Sequence, residues 1–370
     1  MRRDFLIKKI ALLLFLVSFV AMAQDHNNDL ALHSSEETEE SGSSLRVEIK
    51  EFINHHLLDS HDFSLFSYKD EHGKDVHVGM PLPVIIYDSE SGLNVFSSSK
   101  FHHGETVAKN NGSYFKLYHG KIYKTDAAGT ISYDDHHHAI NTKPIDFSIT
   151  KNVTFIFLVG MLMFFMFMKM AKNYKTSAIP KGMGRLLEPI ILYVRDEIAI
   201  PNIGHKHYKK YMSYLLTVFF FIWIVNLLGL TPVGINVTNN IAVTLSLALI
   251  TYLLTTFTAN KNYWKHIFWM PGVPTPMKFL LAPIELLGTI IKPFSLMIRL
   301  YANITAGHIV LMSIIGMMFI FKNWIGSPLS FGLAFALSLL ELLVAALQAY
   351  IFTMLSALYF GSAVEEHDDH

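Results

Sequence analysis

Apolar residues in the second half of this chain run in long unbroken blocks, and the polar residues gather between them. The first block, Phe147 to Met170, is long enough at ~1.5 Å per helical residue to cross a hydrocarbon core of ~30 Å. Tyr211 to Leu230 forms a second span, closed by Thr231-Pro232, and Ile241 to Ala259 forms a third. The last two blocks are too long to stand upright. Phe279 to Phe321 would measure about 60 Å as helix and Leu329 to Phe360 about 50 Å. Each is either a tilted helix or a hairpin inside the membrane. Neither contains a Lys-rich loop, so strongly tilted helices are predicted, with Pro283 and Pro293 kinking the first and Pro328 separating the pair. Gly184 to Ile200 reads as an interrupted amphipathic segment at the membrane surface or against a neighbour.

The first half is patterned differently. Residues 1–23 carry a basic start, an apolar core from Ile10 to Val20 and the small-x-small site Ala21-Met22-Ala23, which reads as a signal peptide. Residues 24–44 form a polar Ser/Glu-rich linker. Residues 45–146 read as a small exported soluble domain. Arg46 to Leu58 suits an amphipathic helix. PLPVIIY, LNVF, GSYFKLYHGKIYK and TISY follow as short β-like runs between turn signals. The predicted fold is therefore an all-α polytopic membrane protein of about five membrane helices plus an interfacial amphipathic helix, preceded by a small β-containing exported domain. Residues 147–370 form its membrane domain.

Composition agrees. Of 370 residues 51% are hydrophobic and only 16% charged, below the quarter typical of soluble domains. Neutrality overall hides an acidic region from Gln24 to Asp146 and Lys-rich loops after Met170, so a basic nucleic-acid binder is excluded. Lys172, Lys175, Lys181, Arg185, Lys206, Lys209 and Lys210 place the loop after the first span in the cytoplasm by the positive-inside rule. Lys261, Lys265 and Lys278 do the same for the loop after the third, and the tail EEHDDH is then cytoplasmic. Absence of Cys removes disulfides, thiolate metal sites and Cys nucleophiles. The chain has 19 His, among them His136, His137 and His138. No spaced Cys or His-Glu helix pattern accompanies them, so they read as a solvated surface rather than a zinc site. No P-loop or other nucleotide motif is present, and no cofactor or metal is expected.

The candidate chemistry lies in KPFSLMIRLYANITAGH, Lys292 to His308. Arg299 is a permanent cation, and near a bilayer centre such a charge costs at least ~2.5–3.5 kcal/mol. Lys292, Ser295, Arg299 and Asn303 form one stripe on a helix. Glu285, Lys292 and Arg299 recur at sevens, so they share a face. His308 lies half a rotation round from Arg299 and about 13–14 Å along. Glu341 and Gln348 share a face of the last helix. If the last two helices pack antiparallel, His308 meets Glu341, and such a pair marks either a proton route or a hydrogen-bonded tie. Arg299 is either a fixed charge on an ion pathway or a structural cation paired with Glu285 or Glu341.

KPFSLMIRLYANITAGH, followed by ELLVAALQAYIF, resembles subunit a of the F-type ATP synthase membrane sector. The resemblance extends over YLLTVFFFIWIVNLLGLTP and NIAVTLSLAL and covers roughly the last 220 residues. It implies that Arg299 faces a rotating c-ring, that Asn303 and Gln348 accompany it, and that Glu285 and Lys292 lie on the cytoplasmic path. The family often has Glu where this chain has His308 and His where it has Glu341; the chemistry is exchanged and the pair kept. The family's further acidic group is replaced by Gly229. The resemblance implies a bacterial inner-membrane subunit that works with the c-ring, peripheral-stalk b subunits, membrane lipids and, indirectly, the catalytic head, where the ATP chemistry resides. Three alternatives stand beside it: a secondary transporter or channel with an exported sensor domain, a non-conducting scaffold that anchors the stator, and a sodium-coupled form of the same subunit.

Overall fold

The computed structural model describes residues 59–69, 75–104, 106–134, 139–176, 179, 182–231, 237–270, 272–320 and 326–365. The expected signal peptide, the linker, the helix from Arg46 to Leu58, the His136–His138 run and most of the acidic tail lie outside these residues. The chain divides into two compact units, Met1–Phe157 and Leu158–His370, each taken by itself below.

The first unit is built on antiparallel strands. β1 (Asp62–Lys69) pairs with β2 (Asp75–Pro81). β3 (Pro83–Asp88) and β4 (Gly92–Ser97) form a three-stranded sheet with β8 (Ile145–Asp146). β5 (Ala108–Asn110), β6 (Ser113–Tyr118) and β7 (Lys121–Thr125) form another. The runs PLPVIIY, LNVF and GSYFKLYHGKIYK thus become strands. TISY does not: Tyr133 makes only an isolated bridge to Ala139. Asn111-Gly112 and His119-Gly120 close the two β5–β6–β7 hairpins with positive φ at both positions, the two-residue loop whose twist matches the strands. Alternate residues Val84, Ile86 and Phe96 point inward and pack with Phe101, Ala108, Phe115 and Ile122. The opposite face of the β3–β4–β8 sheet is apolar too, with Tyr87, Leu93, Val95 and Ile145 all exposed.

The first long helix, α1, spans Lys151–Thr176 rather than beginning at Phe147. The delay has a backbone cause. Phe147 N–H donates to Ile85 O at 2.8 Å and Ile149 N–H to Pro83 O at 3.2 Å. The chain therefore stays extended beside β3 until Lys151.

In the second unit the amphipathic segment forms α2 (Met183–Tyr193), a π-helical turn (Val194–Ala199) and a short α3 (Ile200–Ile203). The expected interruption is this wide turn, not Pro189, which sits inside α2. α4 (Tyr208–Gly229), α5 (Ile241–Thr258) and the short α6 (Lys261–Phe268) follow. α7 (Thr275–Ile320) and α8 (Gly326–Val364) are single helices of 46 and 39 residues. The hairpin alternative is thereby excluded, and α7 runs on through Pro283 and Pro293. Among the described residues five helices are long and apolar enough to cross a membrane. At ~1.5 Å per residue α7 is about 69 Å long, more than twice a ~30 Å core, so it fits only steeply inclined or with its ends outside.

α8 is the central post of this unit, packing on α7, α4, α3 and α5. Its C-terminal half is fixed by aromatic stacking. Phe360 is fully buried, and its ring stacks on Tyr211 at 4.5 Å and meets Tyr214 edge-on at 5.7 Å. The tyrosine hydroxyls then join α4 to α5, Tyr211 donating to Thr258 at 2.7 Å and Tyr214 sharing a bond with Thr251 at 2.8 Å. Asn260 N–H donates to Ala363 O at 2.8 Å and its side chain to Val364 O at 3.2 Å, satisfying carbonyls at the end of α8.

Gly361 admits the backbone of α3. A Cβ there would stand 1.9 Å from Asn202 O, a main-chain atom that cannot swing aside. Gly361→Ala is expected to force α3 off α8 at a cost of about 1–3 kcal/mol or more. The midpoint of thermal unfolding of the purified protein should fall clearly below that of Gly332→Ala, a position with nothing within 4 Å of the added methyl.

Candidate functional site

α7 carries Glu285, Lys292, Arg299, Asn303 and His308, and α8 carries Glu341 and Gln348. Two contacts set their register. Asn303 Nδ2 donates to Gln348 Oε1 at 3.1 Å. One turn on, Glu341 lies against Gly307, where a Cβ would stand 2.9 Å from Oε1. Position rises on one helix as it falls on the other, so the pair is antiparallel. His308, the residue after Gly307, lines the same cavity as Glu341.

Both residues are buried, with 7% of His308 and 9% of Glu341 exposed. They line one cavity of about 300 Å³ together with Asn303, Asn226 and Gly229. Its other walls are mostly apolar, including Ile304, Val310, Leu337 and Leu340. Glu341 Oε2 is buried and accepts no hydrogen bond among the described residues. A buried carboxylate oxygen without a donor, in a cavity wide enough for several waters, is a site for a proton or a proton carrier. Gly229 also stands on the wall.

Several residues of this cluster were not singled out from the sequence. Asn226, 5% exposed, accepts at Oδ1 from Thr238 Oγ1 at 2.8 Å. Thr305 Oγ1 donates to Asn239 Oδ1. The connector 237–239 thus folds in against α4 and α7 instead of lying in a polar loop. The available signal was an Asn within an otherwise apolar span and the polar run Thr238-Asn239-Asn240 in a connector without Lys or Arg. Asn240 itself caps α5, its side chain accepting from Ala242 N–H at 2.9 Å.

A second polar group lies on the other side of Arg299. Lys292 Nζ sits over the Tyr359 ring at 5.6 Å. Around it is a cavity of about 10 Å³ lined by Thr251, Thr255, Tyr263, Thr289 and Ser362, room for about one water. Glu285 belongs to this neighbourhood: burial, with Tyr252 and Glu285 nearby, pushes the Tyr263 phenol above its usual range.

Arg299 lies between the two groups, about 10 Å along the helix from Lys292 and about 13–14 Å from His308. It is half-buried, and among the described residues it makes no ion pair. The alternative of a structural cation paired with Glu285 or Glu341 is therefore not realised. Among the described residues no group of three His, Asp or Glu is placed to hold a metal ion.

Residues 153–361 match the family described as ATP synthase A chain. The chain belongs to that family. Residues 52–147 match a separate family, a domain of unknown function (DUF8433). The chain is 40% identical over 233 residues to ATP synthase subunit a of Chloroherpeton thalassium, covering 61% of this chain and 69% of that one. It is 41% identical over 235 residues to ATP synthase subunit a of Myxococcus xanthus, covering 61% and 77%. It is thus a multi-pass membrane protein and a proton-translocating stator subunit of an F-type ATP synthase, which sets aside the separate transporter or channel. Membership implies membrane-sector partners.

The contact at Gly307 yields a direct test. Gly307→Ala places a methyl against the Glu341 carboxyl and should displace it within the cavity. ATP-driven proton uptake in inverted vesicles is expected to fall severalfold with the complex still assembled. Gly288→Ala, on the same helix with nothing within 4 Å of the added methyl, should pump normally.

Proposed function

We propose that α7 and α8 provide two proton half-channels against a rotating c-ring, with Arg299 as the barrier between them. The observation that carries this reading is the separation of two polar groups along one helix. His308, Glu341, Asn303 and Asn226 surround the large cavity, Lys292 borders the small one with Glu285 near its Tyr263, and Arg299 stands between along the helix.

In this reading the cavity of His308 and Glu341 is the half-channel from the exported side. A proton reaches Glu341, passes with His308 as its neighbour, and neutralises a carboxylate on the ring. The loaded site can then rotate through lipid, because the cost of a bare charge there has been removed. Glu285 and Lys292 line the exit to the cytoplasm. Arg299 acts on both steps. Its cation favours the ionised form of a ring carboxylate beside it, so a loaded site gives up its proton there. The same charge repels a proton moving directly between the half-channels. Asn303 and Gln348 hold α7 and α8 in register beside it. Transmembrane potential contributes ~2.3 kcal/mol per charge per 100 mV, so several transfers accompany each ATP made elsewhere in the complex.

The assembly follows from the same reading. The partners are the c-ring, the peripheral-stalk b subunits and, through them, the catalytic head. The site is a bacterial inner membrane, with residues 45–146 as a periplasmic extension behind a signal peptide ending at Ala23. Residues 147–370 are the membrane domain, and the C-terminus is cytoplasmic. The Lys-rich loops support this orientation.

Arg299→Ala tests the reading in inverted vesicles holding the whole complex. ATP-driven proton uptake is expected to vanish while the complex stays assembled, and passive proton leak to rise. Uptake near the wild-type level would overturn the half-channel reading and make Arg299 a group in a non-conducting scaffold.

A further inference from the structure

The β domain is joined to α1 by a cluster of charged residues that proton translocation does not use. Lys151 N–H donates to Ser60 O at 3.0 Å. Asp59 Oδ1 accepts from Asn152 N–H at 3.3 Å and Oδ2 from Thr150 Oγ1 at 2.9 Å. The first turn of α1 is therefore capped by a carboxylate that lies 93 positions before Asn152, where a cap is ordinarily the adjoining residue. Two residues after Asp59, His61 Nε2 meets Asp146 Oδ2 at 2.8 Å. Asp146 Oδ1 in turn accepts from Ser148 N–H at 2.8 Å. His61 is 4% exposed, and its Nδ1 is buried with no hydrogen-bond partner among the described residues.

We propose that Asp59, His61 and Asp146 form a pH-operated latch that fastens the β domain to the first turn of α1 and tightens as its surroundings become mildly acidic. Nδ1 has no partner among the described residues in either protonation state, so the groups around the ring decide its charge. The imidazolium carries a proton on both nitrogens amid carboxylates. The charged groups facing it are Asp146 from β8, Asp59 from the preceding segment and Asp62 from β1; Lys151, on α1, lies against Asp59. Burial opposes the His61 charge, but the Asp146 hydrogen bond and the three carboxylates outweigh it and raise the His61 pKa. Asp59 is also raised, by burial, against Lys151, Thr150, Asn152 and His61. Burial would raise Asp146 as well, yet its bonds to His61 and Ser148 hold it low.

The signs agree. A raised histidine stabilises the folded junction fully below its unfolded pKa of ~6.5, and that stability is lost as pH rises through the folded value. Asp59 acts in the same direction. Asp146 acts in the opposite one, but only in acid below the ordinary carboxylate range. If the β domain is periplasmic as proposed above, the latch tightens under the condition that drives protons inward.

Hydrogen exchange at the Asn152 and Thr154 amides tests this in the purified complex, where both faces meet one buffer and the result does not depend on the domain's sidedness. Wild type is compared with His61→Gln at each pH from about 5.5 to 8.5, so the intrinsic chemistry of exchange cancels. Wild type is expected to be several-fold better protected in mild acid, with the two converging in alkali. Asp146→Asn, which keeps the side chain's shape, should move the transition to lower pH. A wild-type to His61→Gln ratio that stays flat across the range would overturn the latch. So would an Asp146→Asn transition at the wild-type pH.

Discussion

Two helices meeting in hydrocarbon gain little by burying apolar side chains against each other, because lipid tails are as apolar as leucine. What holds α7 to α8 in one register must be close packing and polar contact. Asn303 and Gln348 supply the polar contact, and Gly307 lets Glu341 in beside it. The rest of the site depends on that register. A slide of one helical turn would carry Glu341 away from Gly307 and open the Asn303–Gln348 bond. It would also change which residues flank Arg299.

The same scarcity of driving force explains where the unit spends its polar side chains. Tyr211, Tyr214, Thr251 and Thr258 form hydrogen bonds between α4 and α5, and Phe360 stacks into the same corner. These interactions brace the C-terminal end of α8, away from Leu337 to Ala345, which line the large cavity. On the cavity side the polar groups are only partly paired: Asn226 bonds Thr238, while Glu341 Oε2 accepts nothing among the described residues. A fully paired cluster would serve as structural glue. One with a buried oxygen left over, beside open space, is suited to take a proton and release it.

Backbone accounting governs the other unit as well. The segment after β8 continues as an extended chain because its N–H groups are committed to β3 carbonyls, and α1 begins only where Asp59 and Ser60 offer acceptors to its first turn. The first turn of the helix is thereby joined to the β domain through hydrogen bonds. A domain attached in this way senses its surroundings through the groups at the joint, and those groups are titratable.

Much of this was legible in the sequence, for identifiable reasons. Runs of apolar residues show five spans because a backbone crossing lipid must satisfy itself as helix, whatever its neighbours. Arg299, His308, Glu341, Glu285 and Lys292 stand out because charge in such a run is costly, and Asn303 and Gln348 by the pattern around them. The β strands were legible where alternation is strong, as in β3 and β4. Other features depend on partners distant in sequence, and no local pattern encodes those. The late start of α1 follows from β3, 62 and 66 residues earlier by the Phe147–Ile85 and Ile149–Pro83 bonds. The inward fold of Thr238 and Asn239 depends on Asn226 and Thr305. The sequence by itself determined the spans and the residues whose charge must have a purpose. Only the tertiary structure decided which of them face one cavity, because that follows from the register in which α7 meets α8.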